Sequence, residues 1–155
     1  MSYKICTMQE RIYLASSWRN RFQPPLVAAL RDIGHEVYDF RHPQGGDGQG
    51  FQWSLLAEDW MDWTPEQTIE HLSSDYAEMG FDRDFAAMQW STRGALLHPS
   101  GRSAHIEAGW LKGSGRTLDV ILAAGDEPEL MIKMADNIFP SIDAYLVHMR
   151  KVISQ

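Results

Sequence analysis

The stretch RIYLASSWRNRFQPPLVAALRDIGHEVYDF, residues 11–40, decides how the chain is read. Arg11 to Ala15 is a short β-rich run, Ser16, Ser17 and Trp18 interrupt it, and from Pro24-Pro25 to Ile33 apolar residues recur at helical spacing. Proline suits the first turn of a helix, where its missing N–H has no partner to lose, and Gly34 supplies the left-handed residue that ends the helix. His35 to Phe40 then reads as a second strand. A strand, a loop, a helix and a second strand in succession are the unit from which parallel sheets are built.

The rest of the chain repeats that alternation. Arg41 to Gly50 (Arg41-His42-Pro43-Gln44-Gly45-Gly46-Asp47-Gly48-Gln49-Gly50) is a loop by composition, and its flexibility suits a lid. Thr64-Pro65-Glu66-Gln67 has capping-box spacing and opens a helix from Pro65 to about Met79; another runs from Asp82 to about Trp90. Gly94 to Leu97 reads as a buried strand, Pro99 to Ser103 as a loop, Ala104 to Lys112 as a helix and Thr117 to Ala123 as a strand. A helix around Glu127 to Met134, a short strand near Asn137 to Phe139 and a helix from Ser141 to about Val152 complete the chain. The expected fold is α/β, a flavodoxin-like or Rossmann-like doubly wound parallel sheet of about five strands with helices on both faces. One domain over residues 1–155 is expected, with 41–81 as an elaborated insertion near the site.

Composition narrows the functional classes. The 155 residues are 44% hydrophobic and 23% charged, which suits a folded chain rather than a disordered one. A net charge of −7 repels nucleic acid polymers but leaves room for a small anion in a local basic pocket. The single Cys6 excludes an internal disulfide and fits a reducing compartment, so the cytoplasm is expected. Neither the Met1 to Arg11 segment nor any later stretch has the apolar run of a signal peptide or a membrane span. The six histidines show no HExxH spacing, and neither a GxGxxG fingerprint nor a GxxxxGK[ST] loop is present, so no metal and no cofactor is expected.

In an open parallel sheet, ligands gather beyond the carboxyl ends of the strands, which nominates Ser16 to Arg19, Phe40 to Gly50 and Pro99 to Ser103. In the third loop, Gly101 and Ser103 can present backbone N–H groups at a helix start, and Arg102 adds a cation suited to phosphate or carboxylate. Glu107 lies one helical turn inside, where the helix dipole and Arg102 are expected to keep it ionised; the plain alternative is a glutamate that only complements the dipole. Ser17, Arg19, Arg102 and Ser103 together supply donors for a 5′-phosphate, against the alternative that both arginines are solvated surface cations. Trp18, Phe40 and Trp53 can stack on a base or serve the core, and Asp82 and Asp84 fit a helix N-terminus.

Two segments carry a resemblance. Ile12-Tyr13-Leu14-Ala15-Ser16-Ser17-Trp18-Arg19 resembles the opening strand and loop of nucleoside 2-deoxyribosyltransferases and of the related deoxynucleoside-monophosphate N-glycosidases. Gly101-Arg102-Ser103-Ala104-His105-Ile106-Glu107-Ala108-Gly109-Trp110 resembles their loop-helix segment, in which a Glu followed by a small residue and Gly is the nucleophile. The resemblance implies that Glu107 attacks C1′ of the sugar with overall retention, that Tyr13 orients it, and that Ser17 and Arg19 match the monophosphate N-glycosidases. It also aligns Asp84 with an upstream acid, and puts Thr92 and Gly101 where family members carry aspartates.

The expected activity is therefore cleavage or transfer at the N-glycosidic bond of a nucleoside or nucleoside 5′-monophosphate. Glu107 and Tyr13 are the catalytic pair, and Ser16, Ser17, Trp18, Arg19, Asp39, Phe40, Asp84, Gly101, Arg102 and Ser103 form the binding set. A non-catalytic nucleotide-sensing module of the same fold is the alternative, and a Toll/interleukin-receptor-like NAD glycohydrolase is a third reading by fold analogy. The resemblance further implies a homo-oligomer, a dimer or higher.

Overall fold

The structure, a computed structural model, describes residues 8–44 and 48–154; Cys6 and the Gly45-Gly46-Asp47 part of the loop lie outside the described residues. Five strands, β1 (Arg11–Ala15), β2 (Glu36–Tyr38), β3 (Arg93–Leu97), β4 (Thr117–Ile121) and β5 (Asn137–Phe139), form a parallel sheet in the order β2-β1-β3-β4-β5. This is the flavodoxin-like order, and it reverses direction between β1 and β3. The helices are α1 (Gln23–Ile33), α2 (Trp53–Leu56), α3 (Pro65–Leu72), α4 (Asp75–Trp90), α5 (Arg102–Gly113) and α6 (Ile142–Ile153).

Side chains alternate across each strand, so the two faces take different partners. Ile12 and Leu14 of β1 pack with Leu26, Val27 and Leu30 of α1 and with Tyr145 and Met149 of α6. Tyr13 and Ala15 face the other way, toward Ala87 and Met88 of α4 and Ala104, Ala108 and Leu111 of α5. Helices thus cover both faces, as a parallel sheet with apolar strands requires.

Several sequence-level boundaries hold because they are set locally. Gly34 ends α1 at φ 111°, its N–H reaching the carbonyls of Leu30 and Arg31. Thr64 and Gln67 form the expected reciprocal capping box, and Ser141 caps α6 through the Ala144 N–H.

Others move. The helix expected over Pro65 to Met79 ends at Leu72, and α4 then runs unbroken from Asp75 through Gly80 to Trp90. Ser74 is the cap, accepting from the Ala77 N–H, and Gly80 sits inside the helix because Phe51 packs on it: a Cβ there would lie 2.7 Å from Phe51 Cδ2. Asp82 and Asp84 are consequently interior residues of α4 and not an N-terminal pair. The strand expected over His35 to Phe40 is only Glu36–Tyr38, because Asp39 turns the chain by accepting from the Arg41 N–H at 3.0 Å. The helix expected over Glu127 to Met134 is reduced to a short 3-10 segment, Leu130–Met134, in which Leu130 and Met131 are exposed and Ile132 packs against the core. Arg102 and Ser103, expected in a loop, begin α5.

Beneath α6 lies a buried ion pair: Arg93 Nη1 donates to Asp119 Oδ2 at 2.8 Å, and Asn137 Nδ2 donates to Asp119 Oδ1 at 2.8 Å. Asp119 is fully buried and joins β3, β4 and β5 on one face. Asp119→Ala leaves the Arg93 guanidinium buried with only Glu10 opposite it, at 3.3 Å. The expected loss is about 3–5 kcal/mol, read as a lower urea midpoint with an unchanged slope.

Candidate active site

Glu107 sits in the second turn of α5, half-buried, with its carboxyl turned toward β1 and α4. The hydroxyl of the buried Tyr13 hydrogen-bonds it from below. From α4, Asp84 approaches the same carboxyl and accepts the hydroxyl of Tyr38 at 2.6 Å. Tyr13 and Tyr38 are register partners on β1 and β2, and their rings stack at 5.4 Å with 15° between planes. Each carboxyl is therefore held by a tyrosine of one stacked pair, a consequence of strand pairing.

The crevice around Glu107 and Asp84 is apolar. Phe81, Phe85 and Met88 of α4 and Ile106 and Trp110 of α5 line a hollow of about 340 Å³. A second hollow of about 490 Å³ shares Phe81 and Ser103 with the first and runs on between Phe51, Trp53, Glu78 and Asp82.

Electrostatics follow from that lining. Burial, and next the negative charge of Asp84, push Glu107 from an ordinary 4.5 up to about 7, while the Tyr13 hydrogen bond pulls the other way. Burial also raises Asp84, opposed by Tyr38 and Arg83. The two phenols are raised as well, first by burial, and so remain proton donors at neutral pH. Against the expectation that the helix dipole and Arg102 favour its charged form, Glu107 is raised: Arg102 is exposed and is not among the causes, and desolvation is the largest of them.

The loops beyond β1 and β3 are joined to each other at the carboxyl end of the sheet. Ser16 Oγ donates to the Leu97 carbonyl at 2.9 Å, so Ser16 stitches the loop to β3. Buried Asn20 continues the seam through Nδ2 to Ser16 Oγ and to the Pro99 carbonyl, both at 3.1 Å. Ser17 Oγ accepts from the Arg19 N–H at 3.1 Å, closing a turn that projects Arg19 outward. Arg19 and Arg102 are exposed cations with no ion-pair partner among the described residues. Gly101 precedes α5 without a side-chain cap, and Ser103 lines both hollows.

Other expected site residues are placed differently. Asp39 is buried and engaged by Gln23 Nε2 at 2.8 Å, the Arg41 N–H at 3.0 Å and His42 Nδ1 at 3.1 Å; burial alone would raise it, but these donors hold it below the ordinary carboxylate value. It organises the turn after β2. Trp18 meets Phe40 edge-on at 5.5 Å and donates Nε1 to the Phe51 carbonyl, while Trp53 packs on Phe51 and Trp63. Thr92 precedes β3, bonded to Glu10 and Arg11 at the amino edge of the sheet, and cannot meet a ligand beside Glu107.

Two groups were not visible in the sequence. The Arg41 guanidinium donates to backbone carbonyls, which leave no spacing signature. His98 and His105 contact Asp126 and Glu129 at 2.9 and 2.8 Å, pinning the segment after β4 to the start of α5; only their neighbouring positions around the loop hinted at this.

The Glu107 shift has a stability consequence of definite sign. Its folded value lies above 4.5, so the favourable contribution is complete below that pH and is lost as pH rises through about 7. Glu107→Gln is expected to be nearly neutral at pH 4.5 and to stabilise by roughly 1–3 kcal/mol at pH 8, measured by denaturant unfolding at both values.

No protein-family profile and no curated protein matches the sequence. Solved structures do match its fold. A 2-deoxyribosyltransferase from Bacillus psychrosaccharolyticus is similar over 87% of this chain and 89% of its own, with a TM-score of 0.61 and 18% identity. The Clostridium botulinum CMP N-glycosidase BcmB is similar over 89% of this chain and 96% of its own, with a TM-score of 0.50 and 16% identity. The parallel five-stranded chain described here shares its fold with a 2-deoxyribosyltransferase and a CMP N-glycosidase.

Proposed function

We propose that the protein is an N-glycosidase acting on a nucleoside or nucleoside 5′-monophosphate, with Glu107 as nucleophile. The observation that carries this reading is the pair of carboxyls, Glu107 and Asp84, held by stacked tyrosines in an apolar crevice at the β1/β3 reversal. Such a pair titrates as a unit: one member must be ionised to attack and the other protonated to donate.

In the proposed reaction, a Glu107 carboxylate oxygen attacks C1′ of the sugar. The C1′–N bond breaks, its electron pair leaves on the base nitrogen, and protonated Asp84 supplies the proton. Water then attacks C1′ of the glycosyl ester, freeing the Glu107 carboxylate and returning a proton to Asp84. The net change is one water consumed, free base released and a sugar hydroxyl formed; two displacements retain configuration. Tyr13 orients the nucleophile. Arg19, Arg102, the Ser17 hydroxyl and the start of α5 are the proposed grip on a 5′-phosphate. Hydrolysis is preferred over transfer because Gly101 stands where the resembled transferases carry an aspartate.

A nucleotide-sensing module is the alternative, motivated by Thr92 and Gly101 at positions where family members carry acids; Thr92 lies at the far edge of the sheet, so only Gly101 supports it. We further propose a cytoplasmic location, on the single Cys6, and a homo-oligomer, on the exposed Phe81, Ile106, Leu130 and Met131.

Chromatography of base release from a panel of nucleosides and 5′-monophosphates tests the activity. Release should fall by roughly 10³-fold or more in Glu107→Ala, and no release by wild type from any compound rejects the reading. Because the working form of the pair carries one proton, wild-type kcat is expected to fall as pH rises through an apparent midpoint near 7 and both carboxyls become ionised. Sedimentation at micromolar concentration should give a dimer or larger; a monomer contradicts the proposed assembly.

A further inference from the structure

We propose that Arg41, in the turn after β2, is a positioning residue that shapes the Ser16–Arg19 loop to receive an anion; this rests on the nucleotide reading above. Arg41 Nη2 lies 3.0 Å from the Ser17 carbonyl oxygen, 3.0 Å from that of Trp18 and 2.8 Å from that of Asn20. Two hydrogens cannot serve three acceptors linearly, so the contact is in large part a cation held among three carbonyl dipoles. The guanidinium also lies 5.6 Å from the Trp18 ring centroid and 5.9 Å from that of Phe40.

Arg41 is itself firmly placed. Its N–H is taken by Asp39 and its carbonyl by the Gly50 N–H at 3.1 Å. Gly50 must approach so closely that a Cβ would fall 2.0 Å from the Phe40 carbonyl oxygen. The loop after β1 is thus held from the β2 side by Arg41 and from the β3 side by Ser16 and Asn20.

A loop that accepts an anion must keep its carbonyl oxygens off the ligand side and its donors on it. Arg41 gathers the carbonyls of residues 17, 18 and 20 onto itself, beneath the turn that projects Arg19. Without it, three oxygens lose their partner, and the loop relaxes toward presenting negative dipole ends where a phosphate would sit. Arg41 acts through this loop; Ser17 and Arg19 make the contact.

Calorimetric titration with a nucleoside 5′-monophosphate and with its nucleoside, on wild type, Arg41→Met and Arg41→Lys, tests the proposal, together with kcat and KM where base is released. Arg41→Met keeps the apolar stem against Trp18 and Phe40 but has no donor. The monophosphate-over-nucleoside affinity ratio should fall roughly tenfold or more in Arg41→Met, recover in part in Arg41→Lys, and leave kcat at saturation within about twofold. An unchanged ratio in Arg41→Met overturns the proposal, even if its melting temperature drops, as does a wild type with no preference for the phosphorylated ligand. Should Arg41→Met not fold, an unchanged ratio in Arg41→Lys overturns it and a lowered one supports it. A wild type that binds both ligands without releasing base rejects the glycosidase reading, while the calorimetric ratio still decides the role of Arg41.

Discussion

The pairing of β1 with β3, from Ile12 opposite Arg93 to Ala15 opposite Leu96, is the constraint on which the rest of the structure depends. At this pair the sheet reverses its order, so the chain leaves β1 toward one face as α1 and leaves β3 toward the other as α5. No crossover fills the space between the two departing loops. Ser16 and Asn20 bond across the seam to Leu97 and Pro99 and hold the two loops together. The same register puts Tyr13 beneath α5 and beside Tyr38, which is why a hydroxyl meets Glu107 at all.

The crevice is locally unfavourable to the fold. Two carboxyls, Glu107 and Asp84, stand close together among Phe81, Phe85, Met88, Ile106 and Trp110, an apolar environment that opposes ionisation of either. Both tyrosines lessen this by donating, and the two cores of Ile12, Leu14, Leu30 and Met149 on one face and Tyr13, Leu96 and Leu111 on the other supply the offsetting burial. Contrast the amino half of the sheet, where Asp119 has Arg93 and Asn137 within 2.8 Å and its charge is fully matched. Matched charge at one end and strained charge at the other is the pattern expected when one end carries chemistry and the other holds strands together.

Ordering of the loops around the site is done chiefly by polar side chains meeting backbone. Asp39 sets the turn that carries Arg41, and Arg41 in turn collects the carbonyls of the loop after β1. His98 and His105 bring Asp126 and Glu129 onto the start of α5, although residues 124–131 are otherwise exposed. Each arrangement satisfies groups that a bare loop would leave to water.

Much of the architecture was legible in the sequence because it is written in short-range signals. The periodicities around residues 11–40, the Gly34 terminator, the Thr64 and Ser141 caps and the strand Asn137–Phe139 all depend on neighbours within a turn or two. Those signals also brought Glu107 to the start of a helix beyond a strand end, as observed. The tertiary structure alone decided that Gly80 lies inside a helix under Phe51, that Asp84 faces Tyr38 from 46 positions away, and that Thr92 falls at the opposite edge from Glu107. It alone decided the ionisation of Glu107, because desolvation is set by residues of α4 and β1 that no local window contains. Periodicity and capping are properties of adjacent residues, whereas burial and the pairing of charges belong to segments that meet only after the chain has folded.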